Sequence, residues 1–101
     1  MTNSIEHLDD DGQPHCENGP AIINYVGTKY WFIHGKFHRL DGPAIEYSNG
    51  DKSYYQYGVI HREDGPAIDW ESSTEWHYKG KYIPVDNLKD FRTYIRNKAF
   101  W

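Results

Sequence analysis

The segment His38-Arg39-Leu40-Asp41-Gly42-Pro43-Ala44-Ile45 decides the fold, because related segments occur twice more in the chain. They stand at residues 15–22 and 61–68, so the three copies begin at equally spaced positions, 15, 38 and 61. All three copies keep the first His, the Gly-Pro pair and the Ala-Ile that follows it. A fixed period of this size is typical of stacked supersecondary units. The sequence therefore predicts a repeat protein.

Each period has the pattern of a β-hairpin followed by a link. Residues 44–47 alternate apolar and polar side chains, Asn49-Gly50 is a strong turn signal, and residues 52–57 return as the second strand. Residues 58–66 would then connect this hairpin to the next. In that link we expect Gly65 to adopt dihedral angles closed to other residues, and Pro66 to fix φ where the next strand begins.

Composition and alternation predict a sheet with two different faces. Aromatic residues make up 17% of the chain whereas Leu and Val are scarce, so burial depends on Trp, Tyr, Phe and Ile, which favour strands. The predicted core side collects Ile22, Ile45, Ile68, Tyr47, Trp70, Trp31, Tyr54 and Trp76. The opposite side collects Tyr30, Phe32, His34, Tyr55, Tyr57, Glu75, His77 and Lys79.

The predicted fold is mainly β: three 23-residue β-hairpin units form a twisted antiparallel sheet, with a short C-terminal capping helix. We divide the chain into an acidic N-terminal cap (residues 1–11), hairpin repeats (12–84) and an amphipathic helix (85–101). The helix follows from the spacing of Leu88, Phe91, Ile95 and Ala99, with Asp86 or Asn87 as its N-cap. Leu8 precedes Trp31 by one period, so residues 5–11 are predicted to be half of a degenerate repeat.

Charge and cysteine content exclude several classes of protein. A formal net charge of -4 disfavours direct nucleic-acid binding, which usually needs a basic surface. The one cysteine, Cys16, excludes an internal disulfide framework and fits a reducing compartment. No apolar run approaches the roughly 20 residues of a membrane span, and the acidic N-terminus does not have the pattern of a signal peptide. We therefore expect a cytoplasmic protein that does not bind membranes.

These residues resemble a known family. Gly-x-x-His, a turn, two short strands and a 23-residue period look like MORN-type repeats. Residues 35–50 are similar, almost letter for letter, to a MORN-like variant of the HRxDGPA type, whose unit GKxHRxDGPAIxYxNGxKxWYxxG occurs in small proteins of large tailed phages and bacteria. The resemblance covers residues 12–101, although Cys16 and Asn18 replace Arg and Asp in the first copy. It implies a twisted sheet of hairpins with a binding or scaffolding role, in the host cytoplasm if the protein is phage-encoded, and it implies no activity.

The three repeated histidines suggest a zinc site at first sight. His15, His38 and His61 would be ligands, with Cys16 as a fourth. Equivalent residues in successive hairpins lie roughly 10 Å apart, however, which is too far for three Zn–N bonds of about 2.0–2.1 Å. We interpret each His as a structural residue that ties its own linker through a hydrogen bond to backbone, and we predict no metal and no cofactor.

The repeated acidic residues are interpreted as structural too. Asp41 precedes Gly42-Pro43 and Asp64 precedes Gly65-Pro66, where a carboxylate commonly closes an Asx-turn. A pairing of Asp with His that recurs in every repeat is unlike an active site, which is singular, so no catalytic residue is predicted. Asp9-Asp10-Asp11 lacks the longer spaced pattern of an EF-hand loop and is interpreted as a solvated acidic cap.

The predicted binding residues are aromatic, because Tyr, Trp and Arg are over-represented at binding hot spots. They are Tyr30, Phe32, Tyr55 and Tyr57, with Arg39 and Arg62 at the rim. Two alternatives stay open: the helix covers this face, or the arginines form surface salt bridges of little energetic value. The expected function is a non-catalytic protein-interaction module, specifically a phage-encoded protein that binds and modulates or inhibits a host factor.

Two other functions are open from the sequence. A small-ligand sponge would stack a nucleotide-type base on the aromatic residues and hold its phosphate with Arg39 and Arg62. An acidic nucleic-acid mimic would display carboxylates, although Asp and Glu are scattered among Lys and Arg here. The exposed aromatic residues and an open sheet edge also make a homodimer compatible with the sequence.

Overall fold

The computed structural model describes residues 4–98, which form short antiparallel strands and a C-terminal helix. The predicted class is therefore confirmed. The helix, α1, spans Leu88–Asn97. The strands are β1 (Ile5–Glu6), β2 (Ile22–Ile23), β3 (Lys29–Tyr30), β4 (Phe32–Ile33), β5 (Lys36–Phe37), β6 (Ile45–Glu46), β7 (Lys52–Ser53), β8 (Tyr55–Gln56), β9 (Val59–Ile60), β10 (Ile68–Asp69), β11 (Thr74–Tyr78) and β12 (Lys81–Ile83).

One long sheet runs through the molecule in the order β1-β2-β3-β6-β7-β10-β11-β12, and the hairpins β4-β5 and β8-β9 extend from it. A single residue separates β3 from β4 and β7 from β8, whereas β11 is continuous. Each of these chain segments therefore leaves the long sheet and enters a second hairpin. The molecule measures 48 × 29 × 17 Å, a thickness that suits one layer of sheet rather than two stacked sheets.

The predicted link at residues 58–66 begins as a second hairpin, so each period contributes two hairpins. β9 pairs with β8 across a turn at Tyr57 and Gly58, whose φ angles are 52° and 80°. Two successive positive φ angles define a type I′ turn, whose twist matches that of the flanking strands. The same pair of angles recurs at His34-Gly35 and Lys79-Gly80. Because Asn or Asp is absent from the first position of these turns, they carry no strong hairpin signal in the sequence.

The predicted sorting of side chains onto two faces is wrong, because the register differs from the one assumed. Tyr30 pairs with both Ile22 and Ile45, and directly opposed residues share a face. We call the face they share the aromatic face; it carries Ile22, Tyr30, Phe32, Phe37, Ile45, Tyr55, Ile60 and Ile68. We call the other the arginine face; it carries Trp31, Arg39, Glu46, Tyr54, Arg62, Asp69 and Trp76.

Helix α1 covers the arginine face at the C-terminal end of the sheet. Asn87 is the N-cap, and its side chain accepts a hydrogen bond of 2.8 Å from the Asp90 N–H. Phe91 is fully buried against Trp76 and Ile83. This cluster and the buried residues Ala21, Ala44, Ile45 and Ala67 form the hydrophobic core of the described residues. Ala99, Phe100 and Trp101, which the sequence assigns to the helical segment, lie outside residues 4–98.

The first strand belongs to the N-terminal segment that the sequence assigns to an acidic cap. β1 pairs with β2, and the His7 N–H donates to the Ala21 oxygen at 2.7 Å, as the Trp31 N–H does to the Ala44 oxygen at 2.7 Å. His7, rather than Leu8, therefore stands in the place of Trp31. The reason is that the loop after His7 is one residue longer than the His34-Gly35 turn, which occupies the same place after Trp31. Residues 1–3 of the predicted cap lie outside the described range.

Within residues 4–98, no helix has the length and apolar character that a membrane span requires.

Candidate functional site

The Arg39 guanidinium is held between an aromatic ring and a glycine. Its Cζ lies 3.9 Å from the centroid of the Trp31 ring. On the opposite side, a Cβ added to Gly42 would come within 2.8 Å of the same carbon. Nε donates to Asp41 at 3.0 Å, and Nη1 donates to the Pro43 carbonyl oxygen at 3.2 Å. Nη1 also donates to Glu46 at 2.7 Å, so this side chain has partners on all sides.

Arg62 repeats the arrangement one period later. Its Cζ lies 3.9 Å from the Tyr54 ring centroid, and a Cβ on Gly65 would come within 2.7 Å. Nε donates to Asp64 at 3.0 Å and Nη1 to the Pro66 carbonyl oxygen at 3.0 Å. The two arginine side chains are only 20% and 21% exposed. Both therefore clamp their own Gly-Pro loop onto a strand of the sheet.

This clamp changes the interpretation of the repeated motif. Asp41 and Asp64 each accept a hydrogen bond from a guanidinium, where an Asx-turn to backbone was expected. Gly65 does not have the positive φ that the sequence suggested, and neither does Gly42. A Cβ at either position would displace the guanidinium from its place, because the two would approach within 2.8 Å at Gly42 and 2.7 Å at Gly65. In the first copy Cys16 replaces the arginine, and nothing lies within 4 Å of a Cβ added to Gly19.

The repeated histidines bind the tips of the second hairpins. Nδ1 of each accepts a hydrogen bond from a turn N–H: His15 from His34 (3.0 Å), His38 from Tyr57 (2.9 Å) and His61 from Lys79 (2.8 Å). A bond to backbone was expected, but its partner is a turn 18 or 19 residues later rather than the adjacent linker. Each Nδ1 must be unprotonated to accept, which fixes the tautomer. Among residues 4–98, no group of three His, Cys, Asp or Glu side chains could hold a metal ion.

The aromatic face brings together three of the six predicted binding residues. Centroid distances are 6.4 Å between Tyr30 and Phe32, 4.4 Å between Phe32 and Phe37, and 5.2 Å between Phe37 and Tyr55. All four side chains are half-buried, and burial raises the pKa of Tyr55. We call these four residues the aromatic row. Phe37 was missed because residues 35–43 were interpreted as a link; the signal was Gly35, which follows a strand and precedes Lys36-Phe37.

The other three predicted residues lie elsewhere. Arg39 and Arg62 are on the opposite face, engaged in the clamps. Tyr57 is in the turn after β8, is 65% exposed, and its ring centroid lies 4.0 Å from that of His38. The predicted site of four aromatic residues with arginines at the rim is therefore not one surface.

Comparison of the chain with models of known protein families found no match, and comparisons with curated proteins and with solved structures found none either.

Replacing Gly42 or Gly65 by Ala should destabilise the protein, because the added Cβ forces the clamped guanidinium out of its place. We expect a loss of about 1–3 kcal/mol in the free energy of unfolding for each, measured by urea denaturation. Gly19→Ala is the matched control, since its Cβ meets nothing within 4 Å. In an Arg39→Ala background, Gly42→Ala should cost much less; an undiminished cost would show that the clamp is not the cause.

Acid should weaken the bond from His38 to the Tyr57 turn. Burial lowers the pKa of His38 from its ordinary value of 6.5. As the pH falls, the unfolded chain therefore takes up this proton before the folded chain does, so stability is lost below about pH 6.5. Urea denaturation at several pH values between about 7.5 and 5.5 should show a steeper loss for the wild type than for His38→Asn, whose amide oxygen can still accept. Parallel curves would contradict this prediction.

Proposed function

We propose that this chain is a non-catalytic protein-interaction module that binds a partner protein through the aromatic face. The observation that carries the proposal is the aromatic row, four packed rings on the side of the sheet opposite to α1. Aromatic side chains lose little conformational entropy on binding and are enriched among hot spots. The aromatic row therefore supplies rigid, apolar contact area at the middle of a face.

The exposed area of the chain supports the same proposal. A compact monomer of 11.9 kDa exposes about 6,000 Å² of surface. This chain exposes 6701 Å², and its single layer of sheet leaves the aromatic face and the part of the arginine face beyond α1 accessible. A partner laid against one face would provide the second layer that such a sheet lacks.

The polar side chains of the repeats support a module without catalytic activity. The histidine Nδ1 atoms are occupied by turn amides, and the arginines by carboxylates and proline carbonyl oxygens. Nδ1 is therefore not available as a general base, and only Nε2 of each imidazole could exchange a proton with a substrate. These groups hold successive hairpins in register, and every junction between hairpins needs its own set of such contacts.

We also propose that the chain is a MORN-like repeat protein of the HRxDGPA type. The support is the motif itself, residues 35–50, together with the fixed period at which its core segment recurs. With that resemblance goes the more specific proposal that the protein is phage-encoded and acts in the bacterial cytoplasm, where it modulates or inhibits a host factor. Net charge of -4 and a single cysteine are compatible with that compartment.

The geometry favours neither alternative function. A nucleotide sponge needs aromatic rings and arginines on one surface, whereas Tyr30 and Tyr55 lie on the face opposite to Arg39. A nucleic-acid mimic needs a dense row of carboxylates, whereas Asp and Glu are scattered among Lys and Arg in this chain.

The experiment is affinity capture from a bacterial lysate, followed by titration of the purified captured protein against variants of the full chain. Tyr55→Ala should weaken binding at least tenfold, because it removes the ring that ends the aromatic row and packs on Phe37. Tyr25→Ala is the matched control: the same side chain is removed from the turn between β2 and β3, where it is 71% exposed. Circular dichroism and thermal unfolding establish that both variants remain folded.

Equal loss of affinity in the two variants, or none in Tyr55→Ala, would contradict the assignment of the aromatic face. Sedimentation of the isolated chain is the companion measurement. A dimer that Tyr55→Ala dissociates would mean that the partner is a second copy of the chain.

A further inference from the structure

The arginine face carries two grooves related by the repeat. The first lies between the loop of residues 16–20 and the loop of residues 39–41, and it encloses about 860 Å³. Trp31 and Ile33 line it, and Leu40 and Tyr57 stand at its edge, 68% and 65% exposed. The second groove encloses about 740 Å³ and is lined by Tyr54, Gln56, Glu63 and Asp64, each one period after its counterpart in the first.

The second groove already borders an amphipathic helix. Arg92 and Ile95 of α1, three residues apart and so on one side of the helix, line it together with Glu63 and Asp64. The same helix packs Phe91 on the Trp76 ring, with centroids 5.0 Å apart. In the preceding repeat a guanidinium packs on the equivalent ring, that of Tyr54. The molecule thus shows which element lies on this face: a helix that offers apolar side chains to the sheet and a basic one to the rim.

The first groove also has carboxylates at its rim, but its lining is more apolar. Ile33 and Leu40 stand where the second groove has Gln56 and Glu63, and Leu40, on the loop between the two grooves, lines both of them. Glu17 and Asp41 are at its rim, with side chains 78% and 87% exposed. Arg39, which also lines the groove, donates to Asp41, and His15 Nε2 lies 3.4 Å from Glu17, but each exposed carboxylate can accept further hydrogen bonds. Among residues 4–98, α1 contributes no side chain to this groove. Its apolar lining is therefore left accessible at a place where the next groove meets a helix.

We propose that the first groove binds an amphipathic α-helix of a partner protein, which presents apolar side chains to Ile33 and Leu40 and a basic side chain to Glu17 and Asp41. Opposite charge fixes the orientation of the helix, and the apolar contacts supply affinity. Each repeat adds two strands to the long sheet, which widens it by about 10 Å. The axes of packed helices lie about 8–10 Å apart, so a helix bound in the first groove has room beside α1. This site lies on the face opposite to the aromatic row and goes beyond the proposed function.

The test uses the helix that the chain itself provides. The probe is a peptide of residues 86–98 carrying a covalent i,i+4 cross-link between positions 89 and 93, which are exposed in α1, because a free helix of this length is marginal in water. Titrated into the full-length 15N-labelled protein, it should shift the NMR signals of Trp31, Ile33, Leu40 and Tyr57, with saturation below about 1 mM. Shifts confined to Trp76 and Ile83 would mean that the peptide only replaces α1, which would overturn the proposal.

The decisive variant exchanges the apolar lining for that of the next repeat. Ile33→Gln with Leu40→Glu installs residues that the fold already accepts at positions 56 and 63, so the protein should remain folded. We expect this variant to bind the peptide at least tenfold more weakly. Val59→Ala, which shortens an exposed apolar side chain outside the groove lining, is the matched control and should bind as the wild type does.

Unchanged affinity in the double variant, or no saturable binding to the wild type, would overturn the proposal. Tyr55→Ala, which tests the aromatic face, should bind this peptide normally. The two proposals can therefore fail independently of each other.

Discussion

The structure depends on the contact between a guanidinium, an aromatic ring and a glycine. Each Gly-Pro loop must cross from a second hairpin back to the long sheet, and the Arg39 and Arg62 clamps hold it there against Trp31 and Tyr54. A planar guanidinium suits this position because it stacks on a ring while its edge donates to carboxylate and carbonyl oxygens. Only glycine leaves room on the other side. One contact therefore links Arg, Asp, Gly and Pro in the second and third copies, whereas Gly19-Pro20 recurs in the first copy without it.

This contact is absent at both ends of the sheet. Pro84 follows Ile83 as Arg62 follows His61, and it brings no guanidinium to Trp76, whose ring is covered by Phe91 instead. Proline also lacks the N–H with which Arg39 and Arg62 donate to the next strand, at 3.1 Å and 3.2 Å, so strand addition ends there. At the other end, Cys16 leaves the position beside Gly19 without a guanidinium. A repeat array needs such altered terminal units, because an unaltered one would leave an edge ready to pair.

The period and the turn signals predicted the class of fold, and the spacing of apolar residues predicted the helix with Asp86 or Asn87 as its N-cap, because these depend on local sequence. The faces were not predictable in the same way. Alternation gives the side of a residue relative to its own strand, but the register between strands decides which residues share a face, and a shift of one residue exchanges them. Tyr30 rather than Trp31 pairs with Ile22 and Ile45. In the candidate site, alternation grouped Tyr30, Phe32 and Tyr55 correctly. Tyr57 lies in a turn instead, and Arg39 and Arg62 lie on the other face.

Buried side chains are unevenly distributed along the sheet, and the two proposed binding surfaces lie where burial is low. The hydrophobic cluster of Trp76, Ile83 and Phe91 lies at the C-terminal end, whereas the aromatic row and the first groove are built from half-buried side chains nearer the N-terminus. In a stack of repeats, each unit is stabilised mainly by its neighbours. The buried hydrophobic residues of the first two repeats, Ala21, Ala44 and Ile45, are few and mostly small, so these repeats also depend on the turn bonds and on the Arg39 clamp. Such regions open at low free-energy cost, and binding surfaces are commonly found there. A partner that covered either face would supply the apolar burial that these repeats lack, so its binding energy would also stabilise the N-terminal half of the sheet.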